Sequence, residues 1–147
     1  MQAPDAPPGD APLVEEGLLA AIAAEADAAA PRLVYADWLQ SRGDPRGELI
    51  IVQHELRARP ADEELLARER ELVERAVADL AVPGLRREVI GRWALGFVDE
   101  LMLSGRELAV LRRIAPGWLA RPALRMVRQL DVTLRKPGGF RSLAASP

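Results

Sequence analysis

The sequence of 147 residues contains no cysteine, a single histidine and a single lysine. The absence of cysteine excludes a disulfide framework, a thiol nucleophile and any cysteine-ligated zinc or iron–sulfur site. One histidine, His54, supplies too few imidazoles for a histidine-based metal site and makes a Ser-His-Asp triad a poor candidate. The sequence has no run of about eighteen apolar residues, so we expect no membrane span and no membrane partner.

The sequence also lacks the short motifs of common enzyme classes. It contains neither GxxxxGKS nor GxxxxGKT for a nucleotide phosphate, no GxGxxG after a strand, and no GxSxG around a serine. We therefore expect no enzymatic activity, no catalytic residue, no cofactor and no bound metal.

The composition is that of one folded domain, because 49% of the residues are apolar and 29% are charged. Residues 1–12 are rich in proline and aspartate and lack the basic and apolar regions of a signal peptide. We interpret them as a flexible leader and expect a cytoplasmic protein. Residues 135–147 are rich in glycine, proline and arginine, which predicts a flexible basic tail.

Charge is distributed unevenly along the chain. Residues 1–83 carry 8 arginines and 17 acidic residues, whereas residues 84–147 carry 12 basic and 5 acidic residues. The two halves could attract each other across an interface or offer surfaces of opposite sign to partners. They could equally be two solvated faces.

Apolar periodicity and capping residues predict a helical module over residues 13–83. Pro31 suits the first position of a helix, Gly43 suits the left-handed position after one, and Asp44-Pro45 predicts a cap followed at once by a new helix. Asp62 can cap the last helix. The predicted helices are 13–25, 31–41, 45–58 and 63–80.

The sequence pattern changes after residue 83, where β-favouring segments alternate with a predicted helix. Strands are predicted at 88–94, 97–103 and 126–134, a helix at 106–114 and a second short helical turn at 116–120. The prediction of the last strand rests on the alternation of Val127, Leu130, Val132 and Leu134. The step of roughly 29 residues between FVDELMLS and VRQLDVTL has the cadence of leucine-rich repeats.

The segment PRLVYADWLQSRGDPRGELIIVQHE, residues 31–55, carries a dense motif of specified residues. It resembles the repeat-companion domain, a short bacterial module abundant in planctomycetes and myxobacteria. RWALGFVDEL, residues 92–101, looks like the junction that often leads into leucine-rich repeats in such proteins. The resemblance covers about residues 13–134 and implies no catalytic activity.

Most polar residues of the motif have a structural interpretation. The second helix places Leu33, Val34, Tyr35, Trp38 and Leu39 over one broad apolar face. Tyr35 and Trp38 lie three apart on this face and should pack in the core. Asp37 can pair with Arg42 or Arg46, or cap the following helix. The motif residues are Tyr35, Asp37, Trp38, Arg42, Gly43, Asp44, Pro45, Arg46, Gly47 and Glu48. The less favoured alternative is a small-ligand or enzymatic site around Asp37, Arg42 and Glu48.

The basic C-terminal third is the other candidate site. An acidic protein partner, including a second copy of the chain, would contact a set of basic residues there. This set comprises Arg112, Arg121, Arg125, Arg128, Arg135 and Lys136. The alternative is nucleic-acid binding, with Trp118 and Phe140 stacking on bases.

These patterns together predict a mainly helical α+β fold, in which a four-helix module at 13–83 packs on a β/α unit at 84–134 resembling a leucine-rich-repeat cap. The expected function is non-catalytic protein–protein interaction, as an adaptor or scaffold subunit. The expected working surfaces are the acidic fourth helix and the open C-terminal strand with its basic tail.

Overall fold

The structure is a computed structural model that describes residues 10–133. Within this range the fold is mainly helical with a small C-terminal sheet, which confirms the α+β prediction. The elements, in chain order, are α1 (Ala11–Ala24), α2 (Ala30–Ser41), α3 (Pro45–Ala58), α4 (Glu63–Asp79), β1 (Ile90–Ala94), β2 (Phe97–Ser104), α5 (Gly105–Leu119) and β3 (Gln129–Thr133). The tail predicted at 135–147 and residues 1–9 of the predicted leader lie outside the described residues.

The link between α2 and α3 follows the predicted capping chemistry. Gly43 has a φ of 72°, and its N–H donates to Gln40 while the next N–H donates to Leu39, which closes the C-terminus of α2. The Asp44 carboxylate then accepts from the backbone N–H of Arg46 at 2.9 Å and caps α3. Two helices are therefore joined by a turn that leaves few backbone groups unpaired.

The boundaries of α1 to α4 agree with the predictions within two residues. Asp62 caps α4 by accepting from the N–H of Leu65 at 3.1 Å, as its position predicted. The broad apolar face predicted for α2 is wrong at Val34, whose side chain is 56% exposed. Tyr35 and Leu39 are buried on the opposite side, because the core covers a narrower stripe of α2 than the sequence pattern indicated.

The sheet has the order β1-β2-β3. Strands β1 and β2 form an antiparallel hairpin whose two turn residues, Leu95 and Gly96, have φ values of 47° and 77°, as a type I′ turn requires. Strand β1 begins at Ile90, two residues later than predicted, since Arg87–Val89 forms a 3-10 turn. Strand β3 pairs in parallel with β2 after a crossover through α5.

The parallel register confirms the predicted step along the chain. Leu101 lies opposite Leu130, and Leu103 lies opposite Val132, so register partners are 29 residues apart. The alternating apolar residues of β3 do not form a buried face, because all five residues of the strand are exposed. The strand pairs with β2, but it lies beyond the apolar side chains that pack over Leu101 and Leu103 and bury them.

Helix α5 is longer than predicted. The expected break between 114 and 116 is wrong, since one helix runs through Pro116 to Leu119. A proline within a helix removes one backbone hydrogen bond, so the last turn needs a tertiary anchor. Trp118 supplies it, because its side chain is buried and its Nε1 donates to the Leu80 carbonyl at 2.9 Å.

The apolar core has two parts, which meet at the β1–β2 hairpin. One lies among α1, α2 and α3 and includes Ile22, Tyr35, Ile50 and Phe97. The other lies among α3, α4, the sheet and α5. None of the helices between residues 10 and 133 is long and apolar enough to cross a membrane.

Candidate functional site

The centre of the motif is Tyr35, which joins three helices. Its hydroxyl donates to Glu15 on α1 at 2.7 Å and accepts from Nη2 of Arg46 on α3 at 3.3 Å. Burial raises the pKa of Tyr35 above its ordinary value. Its ring lies between Trp38 and Phe97, with centroids 5.8 Å from each. This geometry supports the structural interpretation of Tyr35 and Trp38.

Three charged residues of the motif have separate environments. The Glu48 carboxylate accepts two hydrogen bonds from the Arg68 guanidinium on α4, at 2.6 and 2.7 Å, and this bidentate pairing lowers the pKa of Glu48. Arg42 lies over the Trp38 ring, 4.5 Å from its centroid. The expectation that Asp37 pairs with an arginine or caps α3 is wrong, because Asp44 is the cap and Asp37 is exposed. No hydrogen bond or ion pair among residues 10–133 joins Asp37, Arg42 and Glu48 to one another.

The remaining motif residues shape the backbone. Pro45 occupies the first turn of α3, where no N–H is needed. A Cβ at Gly47 would lie 2.6 Å from the carbonyl oxygen of Ala36, so α2 and α3 can approach this closely only at a glycine. Arg46 donates to Asp44 at 3.0 Å as well as to Tyr35. The motif as a whole therefore holds α1 to α4 against one another.

Gln53 links the hairpin turn to α3 and α4, and the sequence pattern did not predict this role. This buried side chain of α3 accepts from the N–H of Gly96 at 2.9 Å and donates to Glu69 of α4 at 2.8 Å. It therefore fixes the hairpin turn against two helices at once. A polar residue among the apolar positions of α3 was the available signal.

The basic residues predicted to bind a partner fall into three groups. Arg121, Arg125 and Arg128 all have intramolecular partners: the Asp79 carbonyl, Glu16 at 2.6 Å and Asp99 at 2.6 Å, respectively. Arg112 is exposed on α5. Arg135 and Lys136 lie outside the described residues.

Asp99 connects the three strands. Its buried carboxylate accepts from Nε of Arg92 on β1 at 2.9 Å and from Arg128, which immediately precedes β3. Burial alone would raise the pKa of Asp99, but the hydrogen bonds from Arg128 and Arg92 outweigh it and lower that pKa. The start of β3 is thereby fastened to the rest of the sheet.

Two aromatic residues were expected to serve a nucleic-acid surface. Trp118 is buried and bonded to Leu80, so its ring offers no face to a base, and that part of the expectation is wrong. Phe140 lies outside the described residues. His54 is half-buried on α3, and no group of three or more potential metal ligands occurs among residues 10–133.

The free side of β3 is the exposed surface that best suits a partner. Within the described part of the chain, β3 pairs on one side, with β2. Leu130 and Val132 are 56% and 44% exposed, although their register partners Leu101 and Leu103 are buried on the same face. The apolar face of the sheet thus continues past the helices that cover it.

Comparison with protein-family models, with curated proteins and with solved structures finds no match.

Proposed function

We propose that this chain is a non-catalytic, cytoplasmic protein–protein interaction module of the repeat-companion type, which acts as an adaptor or scaffold subunit. The observation that carries the proposal is the exposure of Leu130 and Val132 on a strand paired on one side in the described chain. An edge strand of this kind can accept a further strand by backbone hydrogen bonding, with apolar side chains supplying additional affinity.

The geometry of the C-terminal unit supports a partner that adds strand and helix together. Strands β2 and β3 are related by one parallel step of 29 residues through α5. Repetition of such a step is how leucine-rich repeats bury their faces, since each unit covers its neighbour. A unit supplied by a partner would pair with β3 and cover Leu130 and Val132, so the chain would serve as a cap.

The decisive variant is Leu130→Glu, with Val34→Glu as its matched control. Both parent side chains are 56% exposed, so either change should leave the fold intact. We expect the wild-type chain and Val34→Glu to capture the same protein from a lysate of the source cells. Leu130→Glu should bind that purified partner at least about tenfold more weakly, because burying a carboxylate without a counter-charge is costly.

Hydrogen exchange on the purified complex tests the mode of binding. The amides of residues 129–133 should gain protection on binding if a strand is added to β3. Light scattering at low and high salt on the free chain identifies a second copy as the partner, if an oligomer forms and Leu130→Glu abolishes it. Equal capture by wild type and Leu130→Glu, or no added protection in β3, would contradict the proposal.

A further inference from the structure

A cavity of about 270 Å³ opens where α1 and α2 meet the hairpin turn and the segment before β3. Four arginines line it, contributed by three separate parts of the chain: Arg32 of α2, Arg57 of α3, and Arg125 and Arg128 of the segment before β3. The motif residues discussed above do not line it. Four positive charges around one cavity repel one another unless negative charge lies close to them.

Arg32 is the unusual member of this set. It is 8% exposed, its Nη1 donates to the Ala28 carbonyl at 3.1 Å, and its buried Nε has no hydrogen-bond partner. The other buried charged residues of the described chain, Asp99 and Glu107, both have arginine partners. A buried guanidinium without a carboxylate is costly unless something else supplies the negative charge.

The neighbouring charges do not supply it. Arg125 and Arg128 are paired with Glu16 and Asp99, which leaves Arg32 and Arg57 without an ion pair among residues 10–133. Asp27 also lines the cavity and attracts Arg32, but no ion pair joins the two among residues 10–133. Burial, followed by repulsion from Arg128 and Arg57, outweighs this attraction and lowers the pKa of Arg32. The negative charge of an anion in the cavity would offset both the burial and the repulsion.

The rest of the lining is apolar and limits the ligand. Leu95, Phe97 and Met126 form part of the wall. The volume lies just below the usual range for drug-sized ligands, so it suits a small molecule. We infer that this cavity binds a small organic anion, whose carboxylate or phosphate group contacts Arg32 and Arg57 and whose apolar body packs on Phe97 and Met126.

The test is an NMR titration of the full chain with phenyl phosphate, phenylacetate and the neutral benzyl alcohol. We expect one or both anions to shift the Arg32 Nε–H signal and the amides of Phe97 and Met126 saturably, and benzyl alcohol to leave them unchanged. The anion that binds more tightly identifies the headgroup. Arg57→Gln, at an exposed position, should weaken binding about tenfold.

Matched variants separate this site from other surfaces. Arg112→Gln removes an exposed arginine outside the cavity and should leave the affinity unchanged. Leu130→Glu should also leave it unchanged, so failure of the proposed edge-strand interface is distinguishable from failure here. Arg32→Gln should abolish binding if it folds. Absence of saturable shifts, equal binding of benzyl alcohol, or equal affinity of Arg57→Gln and wild type would overturn the inference.

Discussion

Nη1 of Arg125 donates to Oε2 of Glu16 at 2.6 Å, across 109 residues of chain. This pair joins α1 to the segment before β3, so an acidic residue of the N-terminal half meets a basic residue of the C-terminal half within one molecule. Arg121 makes a second link between the halves, but it donates to the backbone carbonyl of Asp79 at the end of α4 and not to a carboxylate. Part of the attraction between the two halves is therefore satisfied within the fold.

The Glu16–Arg125 pair should contribute little free energy to folding. The two side chains are 57% and 35% exposed, and pairs in such positions are screened by water and salt. A double-mutant cycle with Glu16→Gln and Arg125→Gln should give a coupling energy in urea unfolding below about 1 kcal/mol, falling further at high salt. A coupling well above this value, unchanged by salt, would show that the pair is a principal tie between the halves.

Gly47→Ala should be strongly destabilising. The new Cβ would lie 2.6 Å from the Ala36 carbonyl oxygen and 2.9 Å from the Gln40 nitrogen, so α2 and α3 would have to separate. We expect a loss of about 2–4 kcal/mol in the free energy of unfolding, measured in urea. The control is Gly17→Ala on α1, where a Cβ meets nothing within 4 Å and alanine should stabilise by up to about 1 kcal/mol. Equal effects at both sites would rule out the close helix approach.

The features predictable from sequence were those with local causes. Asp44 and Asp62 cap helices through their own neighbours, and Gly43 ends one through its own backbone angle. Periodicity does not report how far the core extends, which is why the exposure of Val34 was not predicted and why an alternating pattern can lie on an exposed strand such as β3. Local pattern specifies the elements, whereas their final burial depends on what packs over them.

The two ends of α5 show the same division. Ser104 and Glu107 form the S-x-x-E spacing of a capping box, a local signal that could have placed the start of the helix. The continuation through Pro116 could not be predicted locally, because it depends on Trp118 reaching Leu80, 38 residues away. The partners of Gln53 and the residues that line the cavity around Arg32 likewise come from distant segments, so neither feature could be predicted from the sequence.

Gln53→Leu should weaken the attachment of the hairpin to the helices. The buried N–H of Gly96 would lose its acceptor and Glu69 would lose a donor. We expect a loss of about 1–3 kcal/mol in urea unfolding, because a buried donor is left unpaired. Gln53→Glu should also destabilise, since two carboxylates would meet, and Glu69→Gln added to it should restore most of the loss. If the second change gave no rescue, Gln53 would not bridge these elements.

Glu107 should make folding sensitive to acid. Hydrogen bonds from Arg86, at 2.6 Å, and from Ser104 lower the pKa of this carboxylate from 4.5 to about 2, although its burial opposes the shift. Because the folded pKa lies below the unfolded one, the stabilisation is present above pH 4.5 and is lost as the pH falls towards 2.

Urea unfolding of wild type and Glu107→Gln at several pH values measures this contribution. Wild type should be the more stable at pH 7, and the difference should shrink between pH 4.5 and about 2, where the carboxylate becomes protonated in the folded state. Comparing the two proteins cancels the acid sensitivity of Asp99 and Glu48, whose pKa values are also lowered. Arg86→Gln should reduce the pH-dependent difference in the same window, because it removes the principal donor. A difference between wild type and Glu107→Gln that stayed constant from pH 7 to 2 would mean that Glu107 acts through packing alone.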